Sequence, residues 1–147
     1  MKLSTRSRYG LRALVDLAAE TKETDLSINI KTIASRQGIS DFYLEQLFTP
    51  LKKSGFITSE RGAKGGYRLN KNPEDITVGD ILRSLEGDLS PVDCLSDTGA
   101  TCGGSKCQSC VTKGVWEKLY AGINDVVDSI TLKQLADDYL SAKETAL

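Results

Sequence analysis

The chain of 147 residues contains no histidine. That removes the commonest side-chain general base and any imidazole metal ligand. Long apolar runs are also missing: no stretch approaches the roughly 20 residues a membrane helix needs. The opening Met1-Lys2-Leu3-Ser4-Thr5-Arg6 is polar and basic, without the apolar core of a signal peptide. These absences place the protein in the cytoplasm, with no membrane partner. There is no internal repeat and no low-complexity tract. Cysteine is confined to one segment, with all four residues between Cys94 and Cys110. In a reducing cytoplasm such clustering points to metal binding or redox chemistry rather than a disulfide framework.

What is present is ordinary for a globular chain: 39% hydrophobic and 27% charged residues. The length suits one compact domain, or one domain with an appended segment, and a dimer would bury more apolar surface than a monomer. The net charge of −1 hides an asymmetry. Residues 1–72 hold 13 Lys and Arg against 7 Asp and Glu, and residues 73–147 hold 6 against 13. A basic half joined to an acidic half suits a nucleic-acid face plus a separate module. Chance segregation on a solvated surface gives the same numbers, so motifs have to decide.

Helical spacing begins at Tyr9 and continues through Leu11, Leu14, Val15, Leu17 and Ala18, with Ser4 or Thr5 as cap. A short helix is predicted from about Ile30 to Gln37, stopped by Gly38, which takes the left-handed conformation cheaply. Ser40 or Asp41 caps the next helix, with Leu44, Leu47, Phe48 and Leu51 on one face and Pro50 as a kink or local strain. Phe56–Ser59 and Tyr67–Leu69 read as two strands around a glycine-rich turn. Thr77 and Asp80 resemble a capping box for a helix through Leu85. Residues 87–104 look irregular. A long helix from Val111 or Thr112 is expected to bury Val115, Trp116, Leu119, Ile123, Val126 and Val127, and Thr131 caps a last one. The fold class is mainly α: a winged helix-turn-helix over residues 1–72, a connecting helix and cysteine-rich loop over 73–110, and a long helix plus a C-terminal helix over 111–147.

Two short helices separated by Gly38-Ile39-Ser40 have helix-turn-helix character. Ile33, Ala34 and Ile39 would lock them at a steep angle, so that the second projects its start into a major groove. Its early residues are Ser40, Asp41, Phe42, Tyr43, Glu45 and Gln46. Serine and glutamine can bond base edges, and glutamate can accept from cytosine. The turn Arg61-Gly62-Ala63-Lys64-Gly65-Gly66 adds two cations on a flexible tip that can approach a groove closely, with Arg61, Gly62, Lys64, Gly65 and Gly66 as candidate DNA contacts, and an arginine there suits a narrow minor groove. Arg8, with Arg6, Arg12, Lys52 and Lys53, would supply phosphate contacts. A generic helical hairpin and an ordinary glycine turn are the plain alternatives; both parts in this order are far more specific than either.

The cysteines run Cys94-x7-Cys102-x4-Cys107-x2-Cys110. Thiolates are soft ligands for zinc and for iron–sulfur clusters. Only Cys107 and Cys110 have zinc-ribbon spacing. Three readings stay open: an iron–sulfur cluster, one zinc ion, or a thiol switch through Cys107 and Cys110. An enzyme of disulfide exchange has no further support, because no second catalytic constellation accompanies that pair.

Arg8-Tyr9, Gln37-Gly38-Ile39-Ser40, Tyr43-Leu44-Glu45-Gln46-Leu47-Phe48, Leu51-Lys52-Lys53-Ser54-Gly55 and Arg61-Gly62-Ala63-Lys64-Gly65-Gly66-Tyr67, together with the cysteine loop and Ile130-Thr131-Leu132, resemble the bacterial regulator family that includes IscR, NsrR and CymR. The likeness covers nearly the whole chain and is strongest to the IscR type. It implies a homodimer built on the long C-terminal helix and a palindromic double-stranded DNA operator. It also implies DNA reading through Ser40, Phe42, Glu45 and Arg61, with Glu45 discriminating between sites. A cluster would lie on Cys94, Cys102 and Cys107, and the function would be regulation of iron–sulfur cluster assembly genes in response to cluster status. The IscR type uses a histidine as fourth ligand, three residues after the last cysteine; here Cys110 stands in that place. The resemblance favours 2Fe–2S, with 4Fe–4S and zinc as alternatives. A nitric-oxide or redox-responsive repressor of the NsrR type is a further alternative, and the CymR type is disfavoured because that branch does not rely on this loop.

Overall fold

Helix α1 (Thr5–Glu23) begins where the Ser4 side chain accepts the Ser7 backbone N–H. It fully buries Ala13, Leu14 and Leu17, and the other helices assemble on that apolar side. The computed structural model describes residues 2–96 and 109–146. In chain order follow α2 (Ile30–Gln37), α3 (Asp41–Lys53), β1 (Ile57–Glu60), β2 (Gly66–Leu69), α4 (Val78–Glu86), α5 (Lys113–Asp128) and α6 (Leu132–Thr145), with short 3-10 turns at Pro73–Asp75 and Asp93–Leu95.

Local signals set most boundaries. Gly38 ends α2 in the left-handed region at φ 68°, and Ser40 caps α3. Thr77 with Asp80 and Thr131 with Gln134 both form complete capping boxes, so α4 and α6 start with their first amides satisfied. Pro50 lies inside α3, and the helix runs on to Lys53. β1 and β2 pair antiparallel, with Ile57 opposite Leu69 and Glu60 opposite Gly66. Each starts one residue away from the strand expected from sequence, within the usual uncertainty of strand ends.

A third piece joins the hairpin. Ile28 exchanges both backbone hydrogen bonds with Tyr67, each 2.8 Å long. This close crossing explains Gly66, where an added Cβ would lie 2.2 Å from the Ile28 carbonyl oxygen. A similar bridge joins Thr77 to Thr131 and fixes the start of α6 beside that of α4. Leu132 and Ala136 of α6 enter the same core as α1, α2 and α3.

Helix α5 departs from expectation. None of its residues is buried. Trp116, Ile123 and Val127 are half-buried, while Val115, Leu119 and Val126 are 58%, 45% and 60% exposed. The apolar stripe therefore exists, but within one chain its outer part is uncovered. Ile123 and Val127 pack with Val78, Leu82 and Leu89 in a smaller second cluster.

Candidate nucleic-acid interface and cysteine segment

The helix-turn-helix is held by polar bonds as well as by packing. Asp16, fully buried on α1, accepts from Arg36 Nε at 3.1 Å and Gln37 Nε2 at 2.9 Å. Arg36 reaches the other Asp16 oxygen at 2.7 Å and Glu20 at 2.7 Å. A buried carboxylate stripped of such partners would be costly, so this knot fixes where α2 sits on α1. Sequence reasoning missed it; an aspartate between Val15 and Leu17 on an apolar stripe was the available signal.

The start of α3 projects outward from that frame. Ser40, Asp41, Phe42, Glu45 and Gln46 are exposed, and Phe42 is 68% exposed. The Ser40 hydroxyl oxygen accepts the Tyr43 N–H at 3.1 Å, which leaves its proton free to donate. Asp41 accepts the Phe42 N–H at 3.0 Å. Tyr43 differs from its neighbours. It is half-buried, packs on the main core, and meets Tyr9 edge-on at 6.3 Å, while the Arg12 guanidinium lies 5.5 Å from the Tyr9 ring centre. Arg8 is exposed on the same helix as Tyr9 and Arg12.

The wing lies beside α3. Arg61, Gly62, Ala63 and Lys64 form an exposed tip, with Gly62 at φ 108° and its carbonyl accepting the Gly65 N–H at 3.0 Å. An added Cβ on Gly65 would lie 2.4 Å from the Glu60 carbonyl oxygen, so the turn itself demands glycine there. An open groove of about 490 Å³ separates wing and helix, lined among others by Glu45, Lys52, Ser59, Arg61 and Tyr67. Lys52 Nζ donates to Ser59 Oγ at 2.6 Å and ties the two walls together. Tyr67 stacks edge-on against buried Phe48 at 5.1 Å. Its phenol pKa is raised by burial and by the Glu45 charge, so it stays a neutral donor beside that carboxylate. Arg61, Lys64 and the polar start of α3 can thus meet a duplex together, with cations at the rim and hydrogen-bonding groups on the helix.

Of the cysteines, Cys94 lies in the 3-10 turn after α4 and Cys110 lies three residues before α5. Both are free thiols and half-buried. The Thr112 hydroxyl, 3.2 Å from Cys110 Sγ, together with Thr112 and Lys113 backbone groups, lowers the Cys110 pKa. That favours the thiolate, the form that binds soft metals. Cys102 and Cys107 lie outside the described residues, and among the described residues no group of three metal-binding side chains converges. The donor set named from sequence fits a soft metal chemically, and two of its four members are placed.

No helix among the described residues is long and apolar enough to cross a membrane. The family described as Rrf2, iron-dependent transcriptional regulator, matches residues 3–138. The HTH-type transcriptional regulator CymR of Bacillus subtilis (strain 168) is 40% identical over 136 residues, 92% of this chain and 90% of the relative. Its structure, described as the global cysteine regulator of B. subtilis, superposes with TM-score 0.75 at 38% identity, over 93% and 97% of the two chains. The structure of T. potens IscR gives TM-score 0.74 at 43% identity, over 97% and 90%. The winged-helix fold read from the sequence is confirmed. The lower rank given to the CymR type finds no support, because both types match over nearly the whole chain.

Proposed function

The chain belongs to the Rrf2 family of transcriptional regulators, a non-enzymatic DNA-binding family, and from that premise we propose that it is a cytoplasmic, homodimeric sensor of iron–sulfur cluster status. The observation that carries the DNA-reading part is the juxtaposition of the exposed α3 start with the Arg61–Lys64 tip across one groove. Ser40, Asp41, Phe42, Glu45 and Gln46 read base edges. Arg61 and Lys64, on the turn shaped by Gly62, Gly65 and Gly66, enter the neighbouring minor groove, and Arg8 holds phosphate. Tyr43 orients α3 through Tyr9.

Dimerisation through α5 covers Val115, Leu119 and Val126 and sets two reading heads on a palindromic operator, about one helical turn apart. Cys94, Cys102, Cys107 and Cys110 hold an iron–sulfur cluster, 2Fe–2S in preference to 4Fe–4S or zinc. When bound, the cluster would supply a redox- and oxygen-sensitive group. Cys110 lies three residues before α5, so a group held there would bias how the two α3 helices are spaced. Control of iron–sulfur assembly genes follows from this reading.

A second reading rests on the likeness to CymR, described as a global cysteine regulator: the same dimer would answer to thiol status without a metal. The absorbance spectrum of anaerobically purified protein separates the two, combined with gel shifts of metal-bound and metal-free forms on one operator. Visible iron–thiolate bands and different affinities support the cluster reading. A colourless, iron-free protein whose affinity changes with a thiol oxidant supports the other.

A further inference from the structure

The last turn of α4 grips three helices with side chains close in sequence. Arg83 donates from Nη1 and Nη2 to both carboxylate oxygens of Asp128 on α5, at 2.8 and 2.9 Å, and from Nη2 to Asn124 at 2.6 Å. Glu86 accepts from the Ser4 N–H and the Ser7 hydroxyl at the start of α1, both at 2.7 Å. Ser84 lies between them and faces α3. Its hydroxyl donates to the Pro50 carbonyl at 3.1 Å and stands 2.8 Å from the Ser54 hydroxyl. One consistent assignment has Ser54 donating to Ser84 and Ser84 donating to Pro50, a chain in which each bond strengthens the next.

Two close approaches seat α4 against its neighbours, one at each end of the helix. A Cβ on Gly10 of α1 would lie 2.6 Å from Leu85 Cδ1, and one on Gly79 of α4 would overlap the Asp128 carboxylate, 1.9 Å from Oδ1. Helix α4 can therefore shift against α1 or α5 only by losing packing at these points. Leu47 and Leu51 of α3 and Ile81 and Leu85 of α4 lie in the same core, and such apolar packing is non-directional, whereas a hydrogen bond is directed. Immediately after α4, Asp88 accepts the Tyr120 hydroxyl of α5 at 2.5 Å, so the path into the cysteine segment starts from the same turn.

We propose that Ser84 is a positioning residue for DNA recognition, passing the orientation of α5 to the recognition helix α3 through the Pro50 carbonyl. Arg83 and Asp128 set where α4 lies against α5, and Ser84 sets where α3 lies against α4. The proposal needs only that the protein binds DNA through α3, and it is independent of what the cysteines hold.

The test is a double-mutant cycle on full-length protein, read by fluorescence anisotropy. The probe is a labelled duplex selected from a random pool by the wild-type protein. Ser84→Ala and Asp128→Asn are each expected to weaken binding by about 3- to 10-fold, the range typical of residues that couple two elements. Ser84→Thr, which keeps the hydroxyl, is expected to restore wild-type affinity. The double variant is expected to bind no more weakly than the weaker single, because both lesions cut the same connection. Wild-type affinity in either single variant, no rescue by threonine, or losses that multiply in the double variant would overturn the proposal. If Ser84→Ala does not give a native circular dichroism spectrum, Ser84→Val, which matches the threonine variant in shape but lacks its hydroxyl, takes its place, and the same cycle with Asp128→Asn decides.

Discussion

Two regions of the chain are built differently. The reading head, α2 to β2, rests on fully buried Ile33, Leu44, Leu47, Phe48 and Leu51, a buried ion-pair knot and two side-chain caps. Among the described residues, helix α5 and the segment before it have no buried residue on the helix, four large apolar side chains in the open (Val111, Val115, Leu119 and Val126), and the free thiols of Cys94 and Cys110. One region is complete within a single chain. The other has its chemistry laid out but its covering missing, as a surface that meets a partner would. Stability is thus a local property of one region, while the other is left to complete itself against a partner.

The sharpest way to break that contrast is to empty the reading head's core. Phe48 is fully buried and holds the wing through Tyr67. Phe48→Ala should cost about 3–5 kcal/mol of unfolding free energy. Denaturant titration checks this, and a loss near zero would mean the head is not self-supporting. Changing the other region should leave the head folded. Leu119→Asp puts a charge in the exposed α5 stripe and should weaken dimerisation by about 30-fold or more, the scale of an interface hot spot, with little change in helical content. Sedimentation velocity reads the shift to monomer.

The smallest effect sharpens the link between the regions. Glu86 has its pKa lowered, chiefly by the hydrogen bonds of Ser4 and also by Ser7, against an opposing effect of burial. A depressed carboxylate stabilises the fold above its unfolded pKa, and that share is lost as pH falls through the folded value. Glu86→Gln should therefore be slightly less stable than wild type at pH 7, with the difference shrinking below the ordinary glutamate range of about 4.3. Melting temperatures across pH 3–7 test the sign.

What was legible beforehand follows the same division. Gly38, Ser40, the Thr77–Asp80 box and the bounds of α2 depend on residues within one turn of each other, so the sequence carries them openly. The cationic tip was equally plain. Gly65 and Gly66 were read as DNA contacts, yet they also answer to the Glu60 and Ile28 carbonyls, and the Ile28 partner is far away in sequence. The Asp16 knot and the Ser84 junction were hidden for the same reason. The α5 stripe was recognised from its period but taken as buried, because periodicity shows that a face is apolar and not what lies against it. Cys102 and Cys107 fall outside the described residues, so the fourfold donor set still rests on spacing and resemblance.

The most direct measurement is operator affinity of a Gln46→Ala, Arg61→Ala double variant beside wild type, with melting temperature as control. Both side chains are exposed, so folding should be unchanged. Loss of one helix contact and one wing contact should lower affinity by roughly 30-fold or more, at about 1–3 kcal/mol each. Undiminished affinity in a normally folded variant would contradict joint reading of the duplex by α3 and the wing.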